Sequence, residues 1–134
     1  MLPQLRDHQR LFINKIAYRI GSIQHGDVVV FHYPYDPTKI FIKRVIAEPG
    51  ESVRVSYGSV YVNGRKLVEY YEPANYADGS SMAEMIVPDH EYFVMGDHRR
   101  NSNDSRRFGP VSQDLICGKA VFVYWPLGQV HMVH

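Results

Sequence analysis

Apolar residues along this chain fall in short runs with a period of two, the mark of strands whose side chains alternate between faces. "QRLFINKI" (9–16) alternates, and "DVVVFHY" (27–33) and "KIFIKRVIA" (39–47) are continuous β-branched and aromatic runs. "SVRVSY" (52–57) and "SVYVNG" (59–64) alternate strictly on either side of Gly58, which predicts a hairpin. "EYFVMGD" (91–97) and "GKAVFVYW" (118–125) complete a set of about seven strands. Turn-forming residues punctuate them at 25–27, 33–37, 48–51 and 62–66. A helical apolar period is confined to one short turn over 111–116. The stretch 68–88, rich in Tyr, Glu, Ala and Ser, has no pattern and is expected to be a long excursion between strands. These elements predict an all-β chain, either a barrel or two packed sheets.

Composition narrows the picture modestly. The 134 residues fit one domain, 1–134, with a sizeable core and no internal repeat or linker. A net charge of +1 gives no electrostatic ground for a nucleic-acid partner. The single cysteine, Cys117, cannot form an internal disulfide and fits no zinc spacing. The seven histidines show no HExxH arrangement. The chain holds no run of about 18 apolar residues of the kind that spans a bilayer, and its first residues, "MLPQLRDHQRLFINK", read as mid-domain sequence.

One residue breaks the strand logic of "FIKRVIA". Phe41, Lys43 and Val45 share one face, and Ile40, Ile42 and Ile46 share the other with Arg44. Both faces are largely apolar, yet lysine is rarely buried without a reason. The plain alternative is an edge-strand lysine whose head reaches water. The chemical reading is a lysine in a dry site. Desolvation penalises its charged form, and the neutral amine can take a proton from a serine hydroxyl. Such a base needs a fixed hydroxyl to aim it. The loop "GDHRRNSNDSRRFG" (96–109) offers Ser102 and Ser105, with Asp104 and Arg106 alongside. An aspartate–arginine pair can lock a loop through bidentate hydrogen bonds.

At these residues the chain resembles the type I signal peptidases, membrane-anchored Ser–Lys endopeptidases that remove signal peptides. "MLPQL" (1–5) is similar to the segment that follows the family's nucleophile, usually Ser-Met-x-Pro-Thr-Leu. "GDVVVF" (26–31), "KRVIAEPGE" (43–51) and "GDHRRNSNDSRRFGPV" (96–111) resemble three further family boxes, in register. The resemblance implies Lys43 as general base, Ser102 as the hydroxyl that orients it, and Asp104 and Arg106 as a supporting pair. It implies that Met1, Leu5, Phe41 and Ile42 line shallow pockets for the small residues at the first and third positions before the cut. It implies antiparallel sheets with a partly barrel-like core, and chemistry without a metal or cofactor. The implied partners are signal peptides of secreted preproteins and the membrane, reached through an N-terminal anchor, with the catalytic domain on the extracytoplasmic side.

Three positions depart from the family pattern: Gln4 stands for Thr, His98 for Asn and Glu51 for Asp. The family's nucleophilic serine matches the position immediately before Met1. The expectation is therefore a chain that starts just past its nucleophile and anchor and does not cleave peptides by itself. Two other readings compete. A non-catalytic β-domain of this fold would bind peptides or partners. A self-cleaving repressor-type domain would carry a DNA-binding helix-turn-helix, and nothing in 1–134 resembles one.

Overall fold

The computed structural model describes residues 10–14, 23–68, 79–124 and 131–132. The strands are β1 (Arg10–Asn14), β2 (Val28–Tyr33), β3 (Asp36–Ala47), β4 (Ser52–Ser56), β5 (Ser59–Val62), β6 (Arg65–Lys66), β7 (Met82–Ile86), β8 (Glu91–Met95), β9 (Val111–Ser112), β10 (Ile116–Tyr124) and β11 (His131–Met132). One four-residue helix, α1 (Ser105–Phe108), and 3₁₀ turns at Arg99–Asn101 and Gln113–Leu115 complete the described elements. The expected all-β class is what the chain adopts, and its pairings are antiparallel. The helical pattern at 111–116 corresponds to the second 3₁₀ turn.

A seven-stranded sheet runs in the order β1-β10-β2-β3-β8-β9, with β11 also on β10, and a four-stranded sheet runs β6-β5-β4-β7. Strand β3 belongs to both halves of the core. Its odd-numbered face contributes Val45 to a cluster with Val29, Phe31, Val94, Phe108 and Val111. Its opposite face contributes Ile46 to a second cluster with Val53, Val55, Val60, Val87, Phe93 and Met95, which the four-stranded sheet covers. The register against β8 shifts between Val45 and Ala47, so β3 carries one extra residue there. That bulge turns Ala47 to the face of Ile46, and it too joins the second cluster.

The turn chemistry follows the sequence closely. Asn63 and Gly64 both have positive φ, 52° and 80°, the two-residue turn whose twist matches that of the flanking strands. It closes β5 onto β6, with Val62 opposite Arg65.

The patternless excursion expected over 68–88 needs correction, because β7 lies inside it. β7 pairs with β4 as Val53↔Met85 and Val55↔Met82, three residues against two. The extra residue breaks the period of two, so Met82 and Met85, three apart, both pack on the second cluster. A bulged, mostly exposed edge strand has no alternation to detect.

Candidate active site

Lys43 sits opposite Val29 in the β2–β3 ladder, on the face that carries Phe41 and Val45. It is half-buried, and its Nζ donates a hydrogen bond of 3.0 Å to Ser102 Oγ. The amine also lies 5.6 Å from the centroid of the Phe41 ring. Burial pulls the lysine pKa below its ordinary value of 10.5. The Asp104 and Asp97 carboxylates oppose that shift, and the Arg106 guanidinium reinforces it. The balance favours the neutral amine more than water would.

Ser102 reaches the amine because the chain folds back after β8. The turn begins at Gly96, where any side chain would occupy the serine's place. A Cβ on Gly96 would collide with Ser102 Oγ and lie 2.8 Å from Ser102 Cβ and 3.4 Å from Lys43 Nζ. The Gly96 N–H donates to Asp104 Oδ2 at 3.1 Å. Asp104 is fully buried and is the residue before α1. Its Oδ1 accepts from the Arg106 backbone N–H at 3.1 Å, a helix cap. The Arg106 side chain binds the same carboxylate with both arms, Nε to Oδ1 and Nη2 to Oδ2, each at 2.9 Å. Burial alone would raise the Asp104 pKa, but the Arg106 hydrogen bonds and charge, with the Gly96 N–H and the Ser102 hydroxyl, hold it below the usual carboxylate value. Arg106 Nη2 further donates to the Arg99 carbonyl at 2.9 Å and Nη1 to Ser80 Oγ at 3.1 Å. Ser105 Oγ accepts from the Val94 N–H at 2.9 Å, which ties α1 to β8.

The four residues expected at the centre, Lys43, Ser102, Asp104 and Arg106, thus come together although they arise from two segments far apart in sequence. Phe41 lies beside the amine. Ile42 is half-buried on the opposite face of β3, paired with Val30. Met1, Leu5 and Gln4 lie outside the described residues. Glu51, the family's Asp, touches His25 Nε2 at 2.6 Å through Oε1 and accepts from the Glu48 N–H at 2.7 Å, so it still closes its turn. The His98 carbonyl accepts from the Asn101 N–H at 3.0 Å.

Sequence reasoning passed over a second ion pair. Arg44 and Asp97 are 1% and 0% exposed and join bidentately, Nε to Oδ1 and Nη2 to Oδ2, each at 3.0 Å. Arg44 Nη1 also donates to the Gly26 carbonyl at 2.9 Å. The pair fastens β3 to the start of the loop, one residue from Lys43 on one side and one from Gly96 on the other. The signal for it was the one that exposed Lys43, a cation in a strand apolar on both faces. Gly96 gave only a turn signal, since close packing against a side chain 6 residues on leaves no local pattern.

The model of the family described as signal peptidase, peptidase S26, matches residues 1–125. A probable signal peptidase I-1 from Synechocystis sp. is 44% identical over 135 residues, covering 94% of this chain and 67% of its own length. The chain belongs to the signal peptidase family. A second Synechocystis relative, probable signal peptidase I-2, is 42% identical and spanned over 62% of its length. Signal peptidase I T of Bacillus subtilis (strain 168) is 36% identical, with 97% of this chain and 72% of that protein covered. The crystal structure of a signal peptidase I from Enterococcus faecalis V583 aligns with a TM-score of 0.65 at 32% identity, over 76% of this chain and 99% of that one. The chain therefore spans about two thirds of the length of these curated relatives. The family is one of serine endopeptidase hydrolases, and the solved relative shares the antiparallel β fold. Among the described residues, no helix is long and apolar enough to cross a membrane.

Proposed function

We propose that residues 1–134 form the catalytic portion of a signal peptidase I, a serine endopeptidase that removes signal peptides from preproteins by a Ser–Lys dyad. The observation that carries this reading is the 3.0 Å hydrogen bond between a half-buried Lys43 amine and Ser102 Oγ. In this reading Lys43 is the general base, Ser102 aims it, and Asp104 with Arg106 holds the loop that presents Ser102. The nucleophile is the serine whose place in the family motif is the residue before Met1. An extended substrate segment adds to exposed strand edges through main-chain hydrogen bonds. Small side chains enter pockets lined by Met1, Leu5, Phe41 and Ile42. The partner is a signal peptide, presented at a membrane on its extracytoplasmic side.

The chemistry balances on one proton. The neutral Lys43 amine takes it from the serine hydroxyl, whose oxygen attacks the scissile carbonyl. Backbone N–H groups near that serine stabilise the oxyanion. The lysine then gives the proton to the leaving amine, so the peptide bond breaks and an acyl-serine remains. A water molecule, deprotonated by the same amine, hydrolyses the ester and returns the serine.

The test uses a preprotein substrate and two forms of the protein. Residues 1–134 alone should leave it intact. The same residues preceded by serine and the family's upstream segment should cleave it. Lys43→Met in the extended form should reduce turnover at least about 1,000-fold, in keeping with loss of an obligatory base, with an unchanged circular-dichroism spectrum. Cleavage that survives Lys43→Met removes the dyad from this protein.

A further inference from the structure

Five groups around the amine form a closed ring of contacts, and two of them have no part in the mechanism above. Lys43 Nζ binds Ser102 Oγ at 3.0 Å and faces the Phe41 ring at 5.6 Å. Phe41 lies flat on Tyr33, with centroids 4.5 Å apart and planes 8° from parallel. The Tyr33 hydroxyl accepts from Asn103 Nδ2 at 3.3 Å. Asn103 follows Ser102 in the chain, so the ring closes. The loop therefore grips both ends of one stack, the amine through Ser102 and the far aromatic through Asn103.

We propose that Tyr33 is a positioning residue for substrate selection, fixing the Phe41 wall of the pocket that accepts a small side chain. The proposal rests on the reading that Phe41 faces the substrate.

The packing around Phe41 explains why Tyr33 has this role. Phe31 and Phe108 meet Phe41 with tilted rings at 6.1 and 6.2 Å, and among the described residues Tyr33 alone stacks on a full ring face. Phe108 also meets Tyr33 edge-on at 5.4 Å, and Tyr35 does so from the hairpin tip at 5.7 Å. Both Tyr33 and Phe41 are only half-buried, so core packing does not lock them from every side. The Asn103 hydrogen bond supplies the missing restraint. With it in place, Phe41 cannot retreat when a larger side chain presses on it, and a pocket that cannot retreat rejects by size. A misfit of one or a few methylenes in such a pocket is worth about 10- to 200-fold in selectivity.

The experiment measures binding, so it does not depend on turnover. Fluorescently labelled signal-peptide segments carry Ala or Leu at the third position before the cut, and affinities are read by anisotropy with a thermal melt for each variant. Tyr33→Ala should lower the Ala-to-Leu affinity ratio about tenfold, through tighter Leu binding rather than loss of Ala binding. Tyr33→Phe and Asn103→Ala should each lower the ratio by a smaller, shared factor. Their double variant should go no further than either, because both remove the same hydrogen bond. If Tyr33→Ala weakens both peptides by one factor, Tyr33 is structural and the inference is overturned. If Tyr33→Ala does not fold, an unchanged ratio in both Tyr33→Phe and Asn103→Ala overturns it instead. Phe41→Ala separates the two layers. A ratio lowered by Phe41→Ala but untouched by the Tyr33 variants sinks this inference alone, whereas a ratio that Phe41→Ala leaves unchanged sinks the substrate-facing role of Phe41 with it.

Discussion

The Lys43 amine and the Ser102 hydroxyl can meet because Gly96 has no side chain. Its Cβ would stand inside the serine, and the backbone there is also pinned to Asp104. Gly96→Ala should therefore push Ser102 off the amine. We expect a loss of about 1–3 kcal/mol in stability from overpacking, read by thermal melts, and about 100-fold in turnover from misplacement, read by preprotein cleavage with the form extended by the serine and upstream segment. Lys43 itself sets the pH response. Burial depresses its folded pKa below 10.5, so as pH falls the unfolded chain takes up the proton before the folded one does. Stability thus declines as pH drops from 10.5 toward the folded value, then levels off once both states are protonated. Lys43→Met removes this dependence. Its advantage in melting temperature should be greatest on the acid side of that window and shrink as pH approaches 10.5. Cleavage by the serine-bearing form should rise with pH up to the folded lysine value, because only the neutral amine is a base. A profile with no rise at any pH below 10.5 would rule Lys43 out as that base. At this scale the sequence was informative about charge out of place: Lys43 stood out among apolar residues. It was silent on Gly96 and Asn103, whose importance comes from contacts made after folding.

Among the elements, β3 organises the site. Its outer half forms the exposed arm of the β2–β3 hairpin, and its inner half, Arg44–Ala47, is buried between two clusters. That division is why Phe41 and Lys43 stay half-buried while Val45 and Ile46 are enclosed by the core. Continuous apolar runs made β2 and β3 legible from sequence, and the Asn63–Gly64 pair made its turn legible. Gly64 sits at φ +80°, a region that costs an L-residue about 1–2 kcal/mol. Gly64→Ala should lower stability by about that amount without changing cleavage by the serine-bearing form, since the turn lies on the four-stranded sheet. Equal turnover with a lowered denaturation midpoint is the expected result. β7 was illegible for the converse reason. Its bulge puts core contacts three residues apart, and Ala83, Glu84 and Ile86 are left exposed, so neither strand nor helix periodicity survives.

For the whole molecule, the Arg44–Asp97 pair joins the two segments that hold Lys43 and Ser102. Both groups are almost fully buried, and a buried charge deprived of its partner is costly. Asp97→Ala should destabilise the fold by about 3–5 kcal/mol, measured by urea unfolding. The double replacement Arg44→Met with Asp97→Leu should recover most of that loss, because it leaves no orphaned charge. If the double variant is as unstable as the single one, the guanidinium's bond to the Gly26 carbonyl matters more than the ion pair. The class of fold was legible in the strand pattern. The meeting of residues 43 and 102, and of 44 and 97, was foreshadowed only by residue type, since pairing across more than fifty positions leaves no periodic trace.

Asp104 has a consequence of its own. One carboxylate caps α1, anchors Gly96 and clamps Arg106, and its folded pKa lies under 3.8. Its support is present above that value and is lost as acid protonates it through the folded pKa. The Lys43–Ser102 geometry and the loop architecture would then dissolve in the same step. Strong acid should find no folded chain with only this loop undone, because the loop and its anchors come apart together.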